Sequence, residues 1–316
     1  MGRYILKRIL IMIPVLIGVA WLVFTVLYLT PGDAATVILG TNASEADLIA
    51  KRHELGIDRP YIEQLWNYLA GLFLHGNMGN SYSTGAAVSK EIMARFPRTL
   101  LLAIIIMGLR ALMGIPLGVI SATHQDKFVD RFCMVLALLG ASIPGFWLAI
   151  MMILVFSLKL HWLPSFGIKD GVLSYILPCI SASISSIGQQ ARQTRSAVLE
   201  CIRSDYVSTA RAQGLSVRKI LFRHILPNAM IPIITVLGTG FGFSLAGTLI
   251  IETVFSMPGI GLYMTTGISN RDFPVVTGCV VFVCFCMGIV MLLMDLIYAF
   301  LDPRIKAQYS RRGAGN

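Results

Sequence analysis

Three ionisable residues lie within or beside long apolar runs, and they are the first positions at which chemistry could occur. They are Arg110, Glu252 and Asp295. Charged side chains at membrane depth are costly, so they either mark a transport path or pair inside a helical bundle. An arginine lining a path would favour a substrate with a carboxylate, whereas a structural arginine would be paired within the protein.

Arg110 and Asp295 lie at depths too different for a direct pair. Arg110 is about ten residues into its run, about 15 Å deep, and Asp295 is about 20 residues from the outer end of its run, about 30 Å deep. We therefore expect Arg110 to face a cavity, a cluster of carbonyl groups or a partner chain. Asp295, near the cytoplasmic end, favours a structural role. Glu252, at the outer end of its run, suits a gate or a contact with an external partner.

No further catalytic or metal-binding set can be assembled from the sequence. The five histidines form no HxxxH or HExxH pattern, and the six cysteines form no CxxC pair. Cys284 and Cys286 are two residues apart and would point to different faces of a helix. The sequence also lacks the GxxxxGK[ST] loop that holds nucleotide phosphates. We therefore predict no catalytic residue, no metal and no cofactor on this chain.

The composition is that of a membrane protein. Hydrophobic residues make up 56% of the chain and charged residues 13%, whereas about a quarter of the residues of soluble domains are charged. The net charge of +10 could suggest nucleic acid, but the basic residues lie in short loops without interleaved aromatic residues. Membrane topology explains them better, because cytoplasmic loops retain Lys and Arg. We expect the lipid bilayer, and no nucleic acid, as a partner.

Apolar runs of about 20 residues, the length that crosses the hydrocarbon core, predict an all-α membrane protein with six spanning helices. The first run is too long for the apolar region of a signal peptide, so we interpret it as an uncleaved span. The distribution of Lys and Arg among the loops predicts that both termini are cytoplasmic. The predicted spans are Ile9–Leu29, Leu100–Ser121, Phe132–Ser157, Leu173–Ser196, Met230–Ile251 and Val275–Leu301.

This topology divides the chain into segments. Residues 1–29 form the cytoplasmic N-terminus and first span, 30–98 an extracytoplasmic segment, 99–301 a five-helix core with a cytoplasmic loop at 198–229, and 302–316 a cytoplasmic tail. Within the extracytoplasmic segment, ELGIDRPYIEQLWNYL predicts a turn and an amphipathic helix that leans on the membrane bundle or on a partner. Its apolar stripe comprises Ile62, Leu65, Trp66 and Leu69.

The basic stretch DYVSTARAQGLSVRKILFRHILPN, at 205–228, lies in the cytoplasmic loop. We expect Asp205 to cap a short helix, Gly214 to end it in a left-handed conformation, and Ser216 to cap a second helix. Pro227 should break that helix before the fifth span. Such a surface helix–turn–helix could dock a cytoplasmic partner or bind only anionic lipid. One face of the second helix would hold Val217, Ile220, Leu221 and His224.

Within this stretch, YVSTARAQGL resembles the cytoplasmic loop signature of binding-protein-dependent ABC importer permeases, which has the form EAA, three residues, then Gly. Ser208, Thr209 and Ala210 stand against EAA, and Gly214 stands at the glycine, although the signature Glu is missing. The form looks like that of the dipeptide, oligopeptide and nickel branch. Other similar stretches, in the same order, are GRYILKRIL, LTPGD, LGID-P-Y, SIPGFWLA, LHWLPSFG, HILPNAMIPIIT, IIETVFSMPGIG, NRDFPVV and LDPRIK.

The resemblance implies a six-transmembrane-helix type I ABC importer permease with a small extracytoplasmic insertion after the first helix. It would lie in the bacterial cytoplasmic (inner) membrane and form the path with a second, homologous permease. Two cytoplasmic ATPase subunits, which hold ATP and Mg²⁺, and an extracytoplasmic substrate-binding protein would complete the importer. The ATPase-coupling residues would be Asp205, Tyr206, Ser208, Thr209, Ala210, Arg211, Ala212, Gly214, Leu215 and Pro227.

Peptides are the cargo that this resemblance favours, and nickel or another metal chelate is the alternative within the same branch. A secondary transporter or a channel, working without an ATPase, is the alternative of another class. The former is expected to show paired repeats with carboxylates near the bilayer midplane, and the latter a filter loop. A membrane-embedded enzyme would need a catalytic constellation that the sequence does not offer.

Overall fold

The computed structural model describes residues 2–40 and 42–301. Over these residues the protein is almost wholly helical, and the only strand-like feature there is an isolated antiparallel bridge between Asn80 and Ala87. The all-α prediction is therefore confirmed. The predicted cytoplasmic tail at 302–316 lies outside the described residues.

Fourteen α-helices, three of them extended by π-helical turns, make up the described chain. The π turns are Arg110–Gly114, Ile153–Lys159 and Leu221–Ile225. The α-helices are α1 Gly2–Leu29, α2 Ala34–Leu39, α3 Glu45–Leu55, α4 Tyr61–His75, α5 Val88–Leu109, α6 Ile115–Thr123, α7 Phe128–Ser142, α8 Gly145–Met152, α9 Leu173–Ile202, α10 Asp205–Ala212, α11 Val217–Ile220, α12 Leu226–Val254, α13 Ile260–Ser269 and α14 Phe273–Leu301.

Four described helical stretches are long and apolar enough to cross a membrane. They are Ile5–Leu29, Val88–Thr123, Val217–Val254 and Phe273–Ile297. The pair α7 and α8, with its π turn, adds a fifth if the bent pair is one span. The presence of several apolar spanning helices is thus confirmed, and the count of six stays a prediction.

The third predicted span, Phe132–Ser157, is not a single straight helix. It is bent by 91° between α7 and α8. Ile143, the residue before Pro144, has φ −80° and ψ 123°, an extended conformation. The proline ring disfavours the helical conformation of the residue that precedes it, and this steric effect causes the bend.

The fourth predicted span lies within α9, which is long enough to cross a bilayer but too polar to meet the same test of apolarity. The helix packs against α6, α7, α8 and α12. Its polar side chains are buried in that surround, among them Ser181, Ser183, Gln190 and Thr194. A helix enclosed by other helices does not need a lipid-compatible surface, which explains its weak apolar signal.

Glycines allow α9 to approach its neighbours closely. A Cβ on Gly118 of α6 would lie 2.5 Å from the Ala191 carbonyl oxygen, and one on Gly188 would overlap the Ala137 carbonyl oxygen on α7. Small residues at such positions let helix backbones pack together where lipid gives no hydrophobic drive for association.

The chain divides into two compact units. The first joins the residues up to Leu100 to Ser256–Ile289, and the second joins Leu101–Phe255 to the chain from Val290 onward. In the first unit, Asp272 is 1% exposed and accepts hydrogen bonds from the Ser81 hydroxyl at 2.6 Å and the Ser83 hydroxyl at 2.8 Å. Burial, with the nearby Asp272 carboxylate, raises the pKa of Tyr82 to about 12.

Helix α4 leans on α1, and Tyr61 contributes much of the contact. The Tyr61 ring lies tilted against Phe24 and edge-on to Tyr28 of α1, at centroid distances of 5.9 and 5.0 Å. Ile62 and Trp66 are instead 77% and 67% exposed. These two residues therefore contribute little to the contact with α1, and a contact of the stripe with a partner stays a prediction.

Candidate functional site

The loop after α9 folds into the helix–turn–helix that its sequence indicates. Helix α10 spans Asp205–Ala212 and α11 begins at Val217, with Ser216 at its N-cap position as predicted. The cap of α10 is Ser204, so the prediction that Asp205 is the cap was wrong by one residue. Asp205 is the first residue of the helix, where a carboxylate still interacts favourably with the helix dipole.

The turn between α10 and α11 is a Schellman motif centred on Gly214. Gly214 has φ +75°, the left-handed conformation that was predicted. Its N–H donates to the Arg211 carbonyl at 2.9 Å, and the Leu215 N–H donates to the Ala210 carbonyl at 3.3 Å. These are the two backbone bonds that close this motif, and they account for the glycine.

Apolar side chains fix the loop to the rest of the second unit. Val207 is fully buried, and Ala210 and Ile220 are 4% and 3% exposed. They pack in one cluster with Val198 of α9 and Ala229 of α12, and Leu215 packs against it. The sequence analysis did not single out Val207, although its spacing from Ala210 on one face of α10 is typical of a packing contact.

Apart from Pro227, the predicted coupling residues fall into two sets. Ala210 and Leu215 belong to the buried cluster. The outward side of α10 and the turn comprises Asp205, Tyr206, Ser208, Thr209, Arg211, Ala212 and Gly214, all exposed. Partial burial still raises the pKa of the Tyr206 hydroxyl above its ordinary value.

Helix α11 presents a different face from the one predicted. Ile220 is buried, but Val217 is 80% exposed and Phe222 is 66% exposed. The first turn after Ser216 projects Val217 away from the cluster that holds Ile220. Val217 and Phe222, with the exposed Arg218, Lys219 and Arg223, therefore form an outward face that is both apolar and basic. Phe222 was missed because it lies off the 3.6-residue period from Val217 and Ile220.

Pro227 does not break the helix, contrary to the prediction. The chain is helical from Val217 to Val254, and Pro227 lies in the first turn of α12 directly after the π turn Leu221–Ile225. Proline has no N–H to donate to the preceding turn, and the chain passes it through the π turn, in which the Leu226 N–H donates to the Leu221 carbonyl. The second half of the loop, from Val217, and the membrane-spanning part of α12 are therefore one continuous helical segment.

A second site surrounds Arg110, whose side chain is 5% exposed. Its Nε donates to the Gln190 side-chain oxygen at 3.0 Å and its Nη2 to the Val236 carbonyl oxygen at 3.1 Å. Of the two other ionisable residues, Glu252 at the end of α12 is 1% exposed and Asp295 on α14 is partly buried. Whether either acts in the path or at a gate stays a prediction.

Arg110 also lines a cavity of about 400 Å³ in the second unit. Its other walls come from α8, α9 and α12 and include Phe146, Ser186, Gln189 and Ser244. Arg110 begins a π turn, a helix defect that is frequent at functional sites. The guanidinium thus donates to a backbone carbonyl and a side-chain amide at the wall of a cavity. Of the surroundings expected from the sequence, a cavity and carbonyl groups are therefore both present.

A clamp that the sequence analysis missed ties α6, α7 and α9 together. Asp130, which is 3% exposed, accepts two hydrogen bonds of 2.7 Å from Arg195 and one from the Ser121 hydroxyl. The sequence signal for this clamp was weak: Asp130 is one of several charged residues just before an apolar run.

This chain belongs to the binding-protein-dependent transport system inner membrane component family. Residues 114–307 match that family, and residues 1–103 match its N-terminal membrane component. It is therefore a permease subunit of an ABC importer of the peptide branch. It is an inner-membrane component and not itself an enzyme, because ATP hydrolysis in this family lies in separate subunits.

Several relatives extend over almost the whole chain. A protein of Brucella abortus (strain 2308), named provisionally as a peptide transport system permease, is 39% identical over 313 residues and covers 97% of this chain and 99% of its own. The glutathione transport system permease protein GsiC of Salmonella typhimurium (strain LT2) is 38% identical over 306 residues, with the same coverage.

Solved structures support the same fold. An inward-facing crystal structure of the MetNI methionine ABC transporter has a chain that matches with a TM-score of 0.57 and 16% identity, over 67% of this chain and 96% of that one. An amino acid ABC transporter solved with histidines matches with a TM-score of 0.55 and 14% identity, over 66% and 94%.

Proposed function

We propose that this permease forms the translocation path of a peptide importer together with a second, homologous permease. Two cytoplasmic ATPase subunits, which bind ATP and Mg²⁺, would drive it, and an extracytoplasmic substrate-binding protein would deliver the cargo. The observation that carries this proposal is the surface at 205–228. It is packed on the rest of the second unit by buried side chains, and from Val217 onward it continues as unbroken helix into α12.

The continuity of α11 and α12 gives the loop a mechanical role. A partner that moves the outward face of α11 would move the cytoplasmic end of α12, because the chain between them is continuously helical. Helix α12 also forms part of the wall of the cavity beside Arg110. Movement of an ATPase docked on the loop would therefore shift the α12 side of this cavity.

The topology that this role requires follows from the distribution of Lys and Arg. It places both termini and the loop 198–229 in the cytoplasm, and the segment 30–98 with α2, α3 and α4 outside. The tail 302–316 would be cytoplasmic as well. An external substrate-binding protein would then meet the side opposite the ATPases.

Small peptides are the proposed cargo. The relatives named above support this, since one is named for peptide and the other for glutathione transport. Among the described residues no group of His, Cys, Asp and Glu side chains could hold a metal ion. A nickel or other metal chelate, carried as an intact complex, is the alternative cargo, and uptake of the chelate in preference to peptides would favour it.

The docking role of the loop can be tested with Gly214→Val. A β-branched residue at φ +75° costs about 1–2 kcal/mol of conformational strain and should displace α10 relative to α11. We expect less ATPase to co-purify with the permease and ATP-driven uptake to fall, with normal membrane insertion. Gly85→Val is the matched control, since Gly85 has φ +70° and open space around it but lies in the segment 30–98.

A second variant tests the exposed face without backbone strain. Val217→Asp should reduce ATPase co-purification, because an acid replaces an apolar side chain that is 80% exposed on the proposed docking surface. Val172→Asp, at a residue that is 82% exposed before α9, is its control. Normal ATPase content and uptake in both Gly214→Val and Val217→Asp would refute docking at this loop and favour a lipid-surface role.

A further inference from the structure

The cavity beside Arg110 is positively charged and has no acidic wall. Its lining residues include no Asp or Glu, and the Arg110 guanidinium donates to two neutral oxygens, those of the Gln190 side chain and the Val236 carbonyl. The charge is nevertheless 5% exposed and lies within a predicted span. A buried charge compensated only by neutral dipoles is costly, so an anionic ligand would gain more than ordinary hydrogen-bond energy here.

The geometry leaves one end of the guanidinium available to such a ligand. Nε and Nη2 are used by Gln190 and Val236, whereas Nη1 lies directly over Gly240, so close that a Cβ there would overlap it. Gly240 also lines the cavity. The glycine thus creates the space in which Nη1 meets the cavity, and any larger residue would fill it.

Hydroxyl groups along the cavity can accept hydrogen bonds. Ser186 donates its own proton to the Ser183 carbonyl at 2.8 Å, Ser244 to the Gly240 carbonyl at 2.9 Å, and Thr248 to the Leu245 carbonyl at 3.1 Å. Their oxygen lone pairs therefore remain for N–H groups of a ligand. Phe146 and Phe243, 49% and 69% exposed, add apolar walls.

We propose that this cavity is a binding station for a carboxylate with neighbouring amide N–H groups, as at the C-terminus of a small peptide. Arg110 Nη1 binds the carboxylate, and the serine and threonine hydroxyls accept from the amides. The station rests on the proposed function, since it lies on the path that function requires. It adds to it a selectivity for anionic ends that is independent of the substrate-binding protein.

The test is saturable binding to the purified complete transporter without its substrate-binding protein. Radiolabelled L-alanyl-L-alanine and its C-terminal amide are the probes, measured by equilibrium dialysis. We expect the wild type to bind the free acid and to bind the amide at least about tenfold more weakly, as for a lost charge-assisted hydrogen bond. Arg110→Met should bind the acid as weakly as the amide, and Arg110→Lys should retain part of the preference.

Controls separate selectivity from folding. Arg131→Met removes an exposed arginine that does not line the cavity and should bind like the wild type. Gly240→Ala should lose the acid preference with Arg110 still present, because its Cβ takes the place of Nη1. A melting temperature for each variant shows that it is folded.

Three results would overturn the station: equal binding of acid and amide by the wild type, unchanged binding by Arg110→Met, or no saturable binding of either probe. Failure of the proposed function looks different, because the wild-type chain would then recover no ATPase and show no ATP-driven uptake. A wild type that imports peptide while Arg110→Met binds normally would reject the station alone.

Discussion

Two buried charged residues of this permease, Arg110 and Asp130, have different kinds of partner. Arg110 is held by an amide and a carbonyl at a cavity wall, whereas Asp130 is fully engaged by Arg195 and Ser121. The first arrangement leaves Arg110 Nη1 to donate to the proposed ligand, whereas the Asp130 carboxylate accepts from partners within the protein. We therefore propose different roles for the two residues: Arg110 would bind ligand in the path, and Asp130 holds three helices together.

Removing the carboxylate charge at Asp130 should destabilise the second unit. Asp130→Asn leaves Arg195 without its anionic partner, and we expect a loss of about 3 kcal/mol, at the low end for a buried pair because the Arg195 side chain is 26% exposed. The apparent melting temperature of the detergent-purified protein measures this loss.

Glu63→Gln is the matched control for Asp130→Asn, because it also removes one carboxylate charge from an ion pair. It removes an exposed pair with Arg59 at 2.9 Å, in which both side chains are 49% exposed, and should cost only about 0.3–0.5 kcal/mol. A melting temperature that falls equally in both variants, or in neither, would contradict a clamping role for Asp130.

At the scale of elements, α9 packs against α6, α7, α8 and α12, and this packing depends on small residues. Gly188→Ala adds a methyl group where the Ala137 carbonyl already lies, so α7 and α9 must move apart. Overpacking of this kind costs about 1–3 kcal/mol. We expect a lower melting temperature and a lower yield of folded protein.

Gly108→Ala tests whether that loss comes from packing. A Cβ at Gly108 meets nothing within 4 Å, and alanine is the better helix former, so this variant should be neutral or slightly stabilising. Equal losses for Gly108→Ala and Gly188→Ala would show that glycine flexibility, and not the close approach of α7 and α9, is what matters.

Local signals predicted the elements well where they act within a few residues. Gly214 and Ser216 take the turn and cap positions expected from their chemistry. The 91° bend follows from the equally local effect of Pro144 on the residue before it, whereas Pro227 does not end its helix because the preceding π turn lets the chain continue. Even the local rules thus depend on where a proline falls in its helix.

Tertiary neighbours decided what the sequence pattern could not. Val217, Ile62 and Trp66 are exposed, although other members of the same predicted faces, such as Ile220, are buried. Arg110 was identified as a candidate from its depth alone, but Gln190, Val236 and Gly240 are far from it in sequence and carried no signal. The partners of a buried charge therefore required the structure.

At the scale of the whole molecule, the topology is the prediction on which the proposed partners depend. In a variant whose native cysteines are replaced, Thr84→Cys should react with a membrane-impermeant maleimide in cells with a permeabilised outer membrane. Gln213→Cys should react only after the inner membrane is opened. Both positions are exposed, so access and not burial decides the outcome. Labelling of Gln213→Cys from outside would reverse the proposed orientation.

The central claim is that this chain works as the permease of an ATP-driven importer through the surface at 205–228. The most direct measurement is affinity purification of the tagged chain from native membranes, with every co-purifying chain identified by mass spectrometry. We predict recovery of a second permease and of ATPase subunits, with the ATPases reduced in Gly214→Val. Recovery of the intact, folded chain alone would contradict the account.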